Sequence, residues 1–169
     1  MKIKKLFFIL IRIFKGDVFA LRSIHQAKIG KKCRLSKNNY GEEPFLISIG
    51  DHVSAIKVDF ITHDGAIWIW RELYPDIDLF RSIKIESNIF IGHKSIILPG
   101  TYIESNVIVG AGSVVKGRLL TNTVYAGVPA KPICSIEEYF KKNSDKFMYT
   151  KLMSSKNKKK YLLRNIEKL

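Results

Sequence analysis

Cysteine is nearly absent from this chain. Two residues among 169, Cys33 and Cys134, form no CxxC pair and no disulfide framework. Both read as reduced structural residues of a cytoplasmic protein. No apolar run is long enough to span a bilayer. The opening MKIKKLFFILIRIF has its run from Leu6 to Ile11, which Arg12 interrupts, against the roughly 20 residues that a spanning helix needs. No small-residue cleavage site follows it, so a short amphipathic helix is expected, lying on the body or on a membrane surface, rather than a signal peptide. Acidic residues are scarce as well, 15 against 29 Lys and Arg, for a net charge of +14. The scarcity is local. Residues 1–34 hold ten basic residues and one acid (+9), residues 135–169 ten and four (+6), and residues 35–134 nine and ten (−1). The basic tails suit plain solvation, an acidic glycan or an anionic membrane surface at the inner face of the membrane. Their charge is not interleaved with aromatics, which argues against nucleic acid as a partner.

What is present is a period of six. Ile85, Ile91, Ile97, Ile103, Val109 and Val115 fall at every sixth position without exception. The residues two places earlier are apolar or small: Ile83, Ile89, Ser95, Thr101, Val107 and Ser113. Neither an α-helix nor an isolated strand has that spacing. Stacked hexapeptides do: each supplies a short strand and a corner, and three close a coil of eighteen residues. Ile85 then stacks under Ile103, Ile91 under Val109 and Ile97 under Val115, at roughly the 4.8 Å of neighbouring strands. One repeat cannot bury its face without the next.

Ile91-Gly92, Leu98-Pro99-Gly100, Ile108 to Val115 (IVGAGSVV) and Ala126 to Lys131 (AGVPAK) resemble the left-handed β-helix acyltransferases. The likeness is greatest to the O-acetyltransferases of galactosides, maltose and bacterial surface polysaccharides, and it covers about residues 29 to 134. It implies an all-β fold, a left-handed parallel β-helix in the form of a triangular prism with helical N- and C-terminal segments. It also implies acetyl-CoA as co-substrate, no metal, a carbohydrate acceptor and a homotrimer. Three segments follow: 1–28, helical and basic; 29–134, the acyltransferase domain; and 135–169, a helical basic tail. Gly16-Asp17 marks a break within the first. In the second, Ile29 and Leu35 keep the period, as do Ile49, Ala55 and Ile61, and the repeat ends near Gly117. Residues 65–82 abandon the period as a loop insertion, and long irregular loops in compact domains are more often functional than accidental. Ser135-Ile136-Glu137-Glu138 has the form of a capping box that starts the tail helix.

His63, in Ile61-Thr62-His63-Asp64-Gly65, stands where the period stops. The resemblance places the catalytic base at this junction. A neutral imidazole can take the proton of a sugar hydroxyl as that oxygen attacks a thioester. Its tautomer needs an acceptor, and either Asp64 or a backbone carbonyl would serve. By the same resemblance His93 stands where a small polar residue meets the pantetheine arm, Gly110 and Ala111 line the pantetheine channel, and Lys131 meets the phosphates. This chain reads Lys116-Gly117-Arg118 where the family has Thr-Lys after its last Val-Val. Lys116 and Arg118 therefore compete for one role. Trp68 and Trp70 alternate as if on one side of a loop strand. They read as a sugar platform with Arg71 nearby and with Glu42, Glu43, Asp76 and Asp78 as hydroxyl acceptors, or else as packing for the loop. His25 and His52 belong to surface or helix packing. The same prism houses γ-class carbonic anhydrases, a rival reading, but their closely spaced histidine pair is missing. A non-catalytic scaffold held at a membrane surface by the basic tails is a second rival.

Overall fold

The computed structural model describes residues 2–166. Successive strands fall in turn on three sheets, so that each circuit of the chain visits all three faces. The first sheet stacks Lys28–Ile29, Ile47–Ile49, Ile83–Ile85, Tyr102–Ile103 and Arg118–Leu119, in that order. The second stacks Arg34–Ser36, Val53–Ile56, Ile89–Ile91, Val107–Val109 and Thr123–Gly127. The third holds Asp59–Phe60, Ile96–Ile97 and Val114–Val115. All these pairings are parallel. A final strand, Ala130–Ser135, folds back antiparallel on Thr123–Gly127 and closes the second sheet.

The sixfold anchors do what their spacing predicts. Ile85 pairs with Ile103, Ile91 with Val109 and Ile97 with Val115, and all six are buried. The small polar residues two places earlier are buried too, and their hydroxyls are satisfied: Ser95 and Ser113 donate to the Gly110 carbonyl and Thr101 to Val115. Glycine is needed where coils touch. A Cβ on Gly92 would fall 2.4 Å from the Ala111 nitrogen. One corner runs through left-handed residues, Asn88, Asn106 and Asn122. Their side-chain amides hydrogen-bond in series, and His52 joins the series at Asn88.

One expectation about the period is corrected. Phe60, not Ile61, faces the core and pairs with Ile97, because the step from Ala55 is five residues rather than six. The repeat does end near Gly117, but the coil goes on without it. Arg118–Leu119 pairs with Tyr102–Ile103 and Thr123–Gly127 with Val107–Val109, a circuit shortened to sixteen residues.

Helix α1, Lys2–His25, is interrupted at Gly16, whose φ of 82° and ψ of 166° are not helical. It covers the open strand edge at the start of the coil, where unpaired carbonyls would otherwise invite another strand. The Arg22 guanidinium donates to the carbonyls of Ile29 and Gly30. Arg12 donates to both Asp17 carboxylate oxygens and to the Asn38 carbonyl. The Tyr40 hydroxyl donates to Asp17 and accepts from the Asn38 amide, and burial pushes that phenol far above its ordinary value. His25 packs edge-on against Phe8. Among the described residues no helix is long and apolar enough to cross a membrane.

The chain divides after Ile136 into two compact units. The second contains most of helix α2 (Ile136–Asn143), a 3-10 turn at Ser144–Lys146, and helix α3 (Ser155–Arg164). Ser154 caps α3 by accepting from the Asn157 N–H.

Candidate functional site

His63 lies at the end of a stretch whose backbone is held on both sides. Asn39 bridges Asp59, twenty residues on, and the same twenty-residue step sets Glu43 beside His63. Glu43 Oε2 accepts from His63 Nδ1 at 3.0 Å and from the buried Thr62 hydroxyl at 2.7 Å. Desolvation pushes the Glu43 carboxyl up, but the hydrogen bonds from His63 and Thr62 together outweigh it and hold it below the ordinary glutamate value. The imidazole itself is exposed, and among the described residues its Nε2 has no hydrogen-bond partner. Asp64 does not meet it. Its carboxylate turns the other way and accepts from the Ala66 N–H at 3.0 Å, capping the 3-10 helix that opens the insertion. The acceptor is thus a residue that periodicity alone does not reveal. Its signal is the twenty-residue step, from Asn39 to Asp59 and from Glu43 to His63.

The insertion is closed at its neck. The Asp64 N–H donates to Leu79 and the Arg81 N–H to Thr62, and the Phe80 ring stands edge-on to His63 with centroids 6.1 Å apart. Inside the loop, Gly65–Trp70 is a 3-10 helix and not a strand. With three residues per turn, positions two apart point in different directions, so Trp68 and Trp70 do not share a side. Both are exposed, Trp68 at 74%. Trp70 instead ends the turn, its carbonyl accepting from Leu73 and Tyr74. Arg71 is ion-paired with Asp78 across the loop. Glu42 is exposed beside Glu43.

A second group gathers at the corner between the second and third sheets. The Gly112 N–H donates to the His93 carbonyl, Gly110 packs within contact of Ala126, and Ala126 pairs with Lys131 across the terminal hairpin. His93, Gly110, Ala111 and Lys131 therefore occupy adjacent coils, and all but half-buried Gly110 are exposed. Lys116 and Arg118 separate at the next corner. Arg118 is taken by Glu104, which also accepts from the Thr121 N–H, and its guanidinium lies over Tyr102. Lys116 is exposed and, among the described residues, has no ion pair.

His63 and the His93 group lie at opposite edges of the third sheet. Phe60 pairs with Ile97, and Lys94 precedes that strand at the corner beyond it; from Lys94 to Gly100 the chain takes six residue steps, at most about 20 Å of backbone. A groove of about 520 Å³ lies elsewhere, on the outer face of the first sheet between Lys28, Lys84 and Glu86, and contains none of the expected residues. Among the described residues no three His, Cys, Asp or Glu side chains are grouped as a metal site needs.

Residues 82–117 match the family of bacterial transferase hexapeptides (six repeats). The chain is 46% identical over 140 residues to Protein CapG of Staphylococcus aureus, across 80% of this chain and 81% of that one. Over 61 residues it is 46% identical to the putative lipopolysaccharide biosynthesis O-acetyl transferase WbbJ of Escherichia coli (strain K12), covering 35% and 31% of the two chains. Its fold matches that of a galactoside acetyltransferase solved in complex with coenzyme A. The TM-score is 0.61 at 22% identity, over 88% of this chain and 86% of that one. With the sixfold coil and the relative that it matches along most of its length, the chain belongs to the hexapeptide-repeat transferase family.

Proposed function

We propose that this chain is an acetyl-CoA-dependent O-acetyltransferase that acts on a carbohydrate hydroxyl during assembly of a surface polysaccharide or glycolipid at the cytoplasmic side. The carrying observation is the His63–Glu43 pair, an exposed imidazole anchored through Nδ1 with Nε2 open. Donation from Nδ1 to a carboxylate leaves the lone pair on Nε2. Nε2 removes the acceptor hydroxyl's proton as that oxygen attacks the thioester carbonyl, and returns it to the departing thiolate. Glu43, held ionised, stabilises the imidazolium formed in between. Transfer is direct. The one hydroxyl next to His63, Thr62, is buried and spent on Glu43, so it is not placed to carry the acyl group.

On this reading His93, Gly110, Ala111 and Lys131 hold the donor along one edge of the coil. Of the competing pair, Lys116 meets the phosphates, since Arg118 is already neutralised by Glu104. Lysine suits phosphate as a mobile point charge. Trp68, Trp70, Arg71 and Glu42 form the acceptor side, within a catalytic domain 29–134 flanked by segments 1–28 and 135–169. The coil takes the form of a left-handed triangular prism. The base and the residues assigned to the donor stand at different corners of the coil, which supports a homotrimer whose neighbouring copies bring base and donor together.

Acetyl-CoA turnover against a panel of sugars tests this, with light scattering on the same sample. The reading expects thiol release that depends on a sugar, from a trimer. Turnover on amines but on no carbohydrate would reject the acceptor class.

A further inference from the structure

We infer that the capped end of the coil docks on an anionic lipid bilayer, with α1 lying in its interface. This goes beyond the acetyl-transfer reading and does not depend on it. Before the break at Gly16, α1 has two unlike sides. Phe8 packs on the core and Arg12 reaches Asp17 and Asn38, so this side faces the coil. On the side turned away, Phe7, Leu10, Ile13 and Phe14 stand at helical spacing and are exposed, Ile13 at 70% and Phe14 at 81%. Four large apolar side chains on one outward stripe call for a partner.

Charge decides which one. The strands at this end are the first of their sheets, and their rim presents Lys28, Lys31, Lys32, Arg34 and Lys37, all exposed. Asp17 is the single acid among residues 1–41, and Arg12 neutralises it. One acid joins this rim, Asp51, which accepts from the Lys31 N–H, so five basic residues face one exposed carboxylate there. An apolar stripe on a helix beside a rim of net positive charge is the pattern of an interfacial helix on anionic headgroups. A second copy of this chain would bring the same positive rim against itself. Docking at this end leaves the outer faces of the coil clear, so an acceptor carried on a lipid could reach His63.

The test uses full-length protein sedimented with phosphatidylcholine vesicles, with and without phosphatidylglycerol. Two variants keep the fold contacts: Ile13→Gln/Phe14→Gln on the stripe and Lys31→Glu/Lys32→Glu on the rim, each with its Tm measured as a check on folding. Binding is expected only with phosphatidylglycerol, to weaken as salt is raised, and to fall about tenfold or more in each variant at unchanged Tm. No binding by the parent chain, equal binding to neutral vesicles, or full binding by both variants overturns the inference. So does a drop in light-scattering mass for the stripe variant, since a second copy would then be what covers the stripe. Acetyl transfer to a soluble sugar, followed in parallel, reports on the proposed reaction separately.

Discussion

The coils between Ile83 and Val115 and the circuit from Ile47 to Ser82 use the same three sheets to different ends. In the first region every coil repeats the last at a step of eighteen, from Lys84 to Tyr102, Ile89 to Val107 and Ile96 to Val114. In the second the step to the next coil is thirty-six at Ile47 and thirty-seven at Phe60, because the chain leaves the coil at His63 and returns at Ile83. A repeat that reproduces its backbone reproduces what it offers outside, which is edges, glycines and small side chains. A base with a fixed tautomer needs side chains that occur once. On the proposed reading, therefore, the regular coils supply the donor edge and the interrupted circuit supplies the acid–base pair.

The sharpest way to break this contrast is to remove the imidazole. His63→Ala should lower kcat by about 10²–10⁴ with little change in Tm, since the side chain is exposed and buries no core contact. Steady-state acetyl transfer beside a melting curve decides it, and near-normal turnover would return the interrupted circuit to the status of a loop.

The regular region should fail in the opposite way. Ile97 is fully buried between Phe60 and Val115, and Ile97→Ala should cost about 2–5 kcal/mol through lost transfer energy and a residual cavity. Ile61, the residue that strict sixfold spacing points inward, is only partly buried, and Ile61→Ala should cost about 1 kcal/mol or less. Denaturant unfolding of both variants measures the gap. Equal losses would mean that the period, and not the one-residue slip at Phe60, describes the core.

The same division governs what could be read from the chain. The six anchors, their stacking partners and the small residues between them follow from spacing, because an inward side chain and its period are one geometric fact. The residues proposed for the donor come from the resemblance rather than from spacing; what the structure adds is that Gly110 packs against Ala126, which pairs with Lys131. The slip at Phe60 was hidden, since Phe60 and Ile61 are both apolar and only packing selects between them. The 3-10 helix at Gly65–Trp70 was hidden because AIWIW alternates as a strand would, while the deciding interaction is the Asp64 cap. The cap on the coil was visible as a helix but not as a network, since Arg12, Asp17, Asn38 and Tyr40 meet across a fold that must already exist.

Glu43 is the remaining test of the contrast, and the smallest effect expected. If it positions and stabilises the imidazole, Glu43→Gln keeps a hydrogen-bond acceptor in place but loses the charge. A hydrogen bond to a charged group contributes about 1.5–3 kcal/mol and one to a neutral group about 0.5–1.5, so kcat should fall about tenfold. The KM for acetyl-CoA should not move, because Glu43 bonds His63 and Thr62 and none of the residues assigned to the donor. Asp64→Asn should leave kcat nearly untouched, as Asp64 serves the insertion's cap. Stability adds a pH signature. The folded Glu43 carboxyl sits below its ordinary value, held by His63 and Thr62 against desolvation. Its contribution is therefore present above the unfolded glutamate value and is lost as the pH falls through the lower folded value. The Tm difference between the parent chain and Glu43→Gln should be open at neutral pH and close in acid. A difference that persists in acid would mean a steric role, and a tenfold loss in Asp64→Asn would move the positioning role to the neighbouring carboxylate.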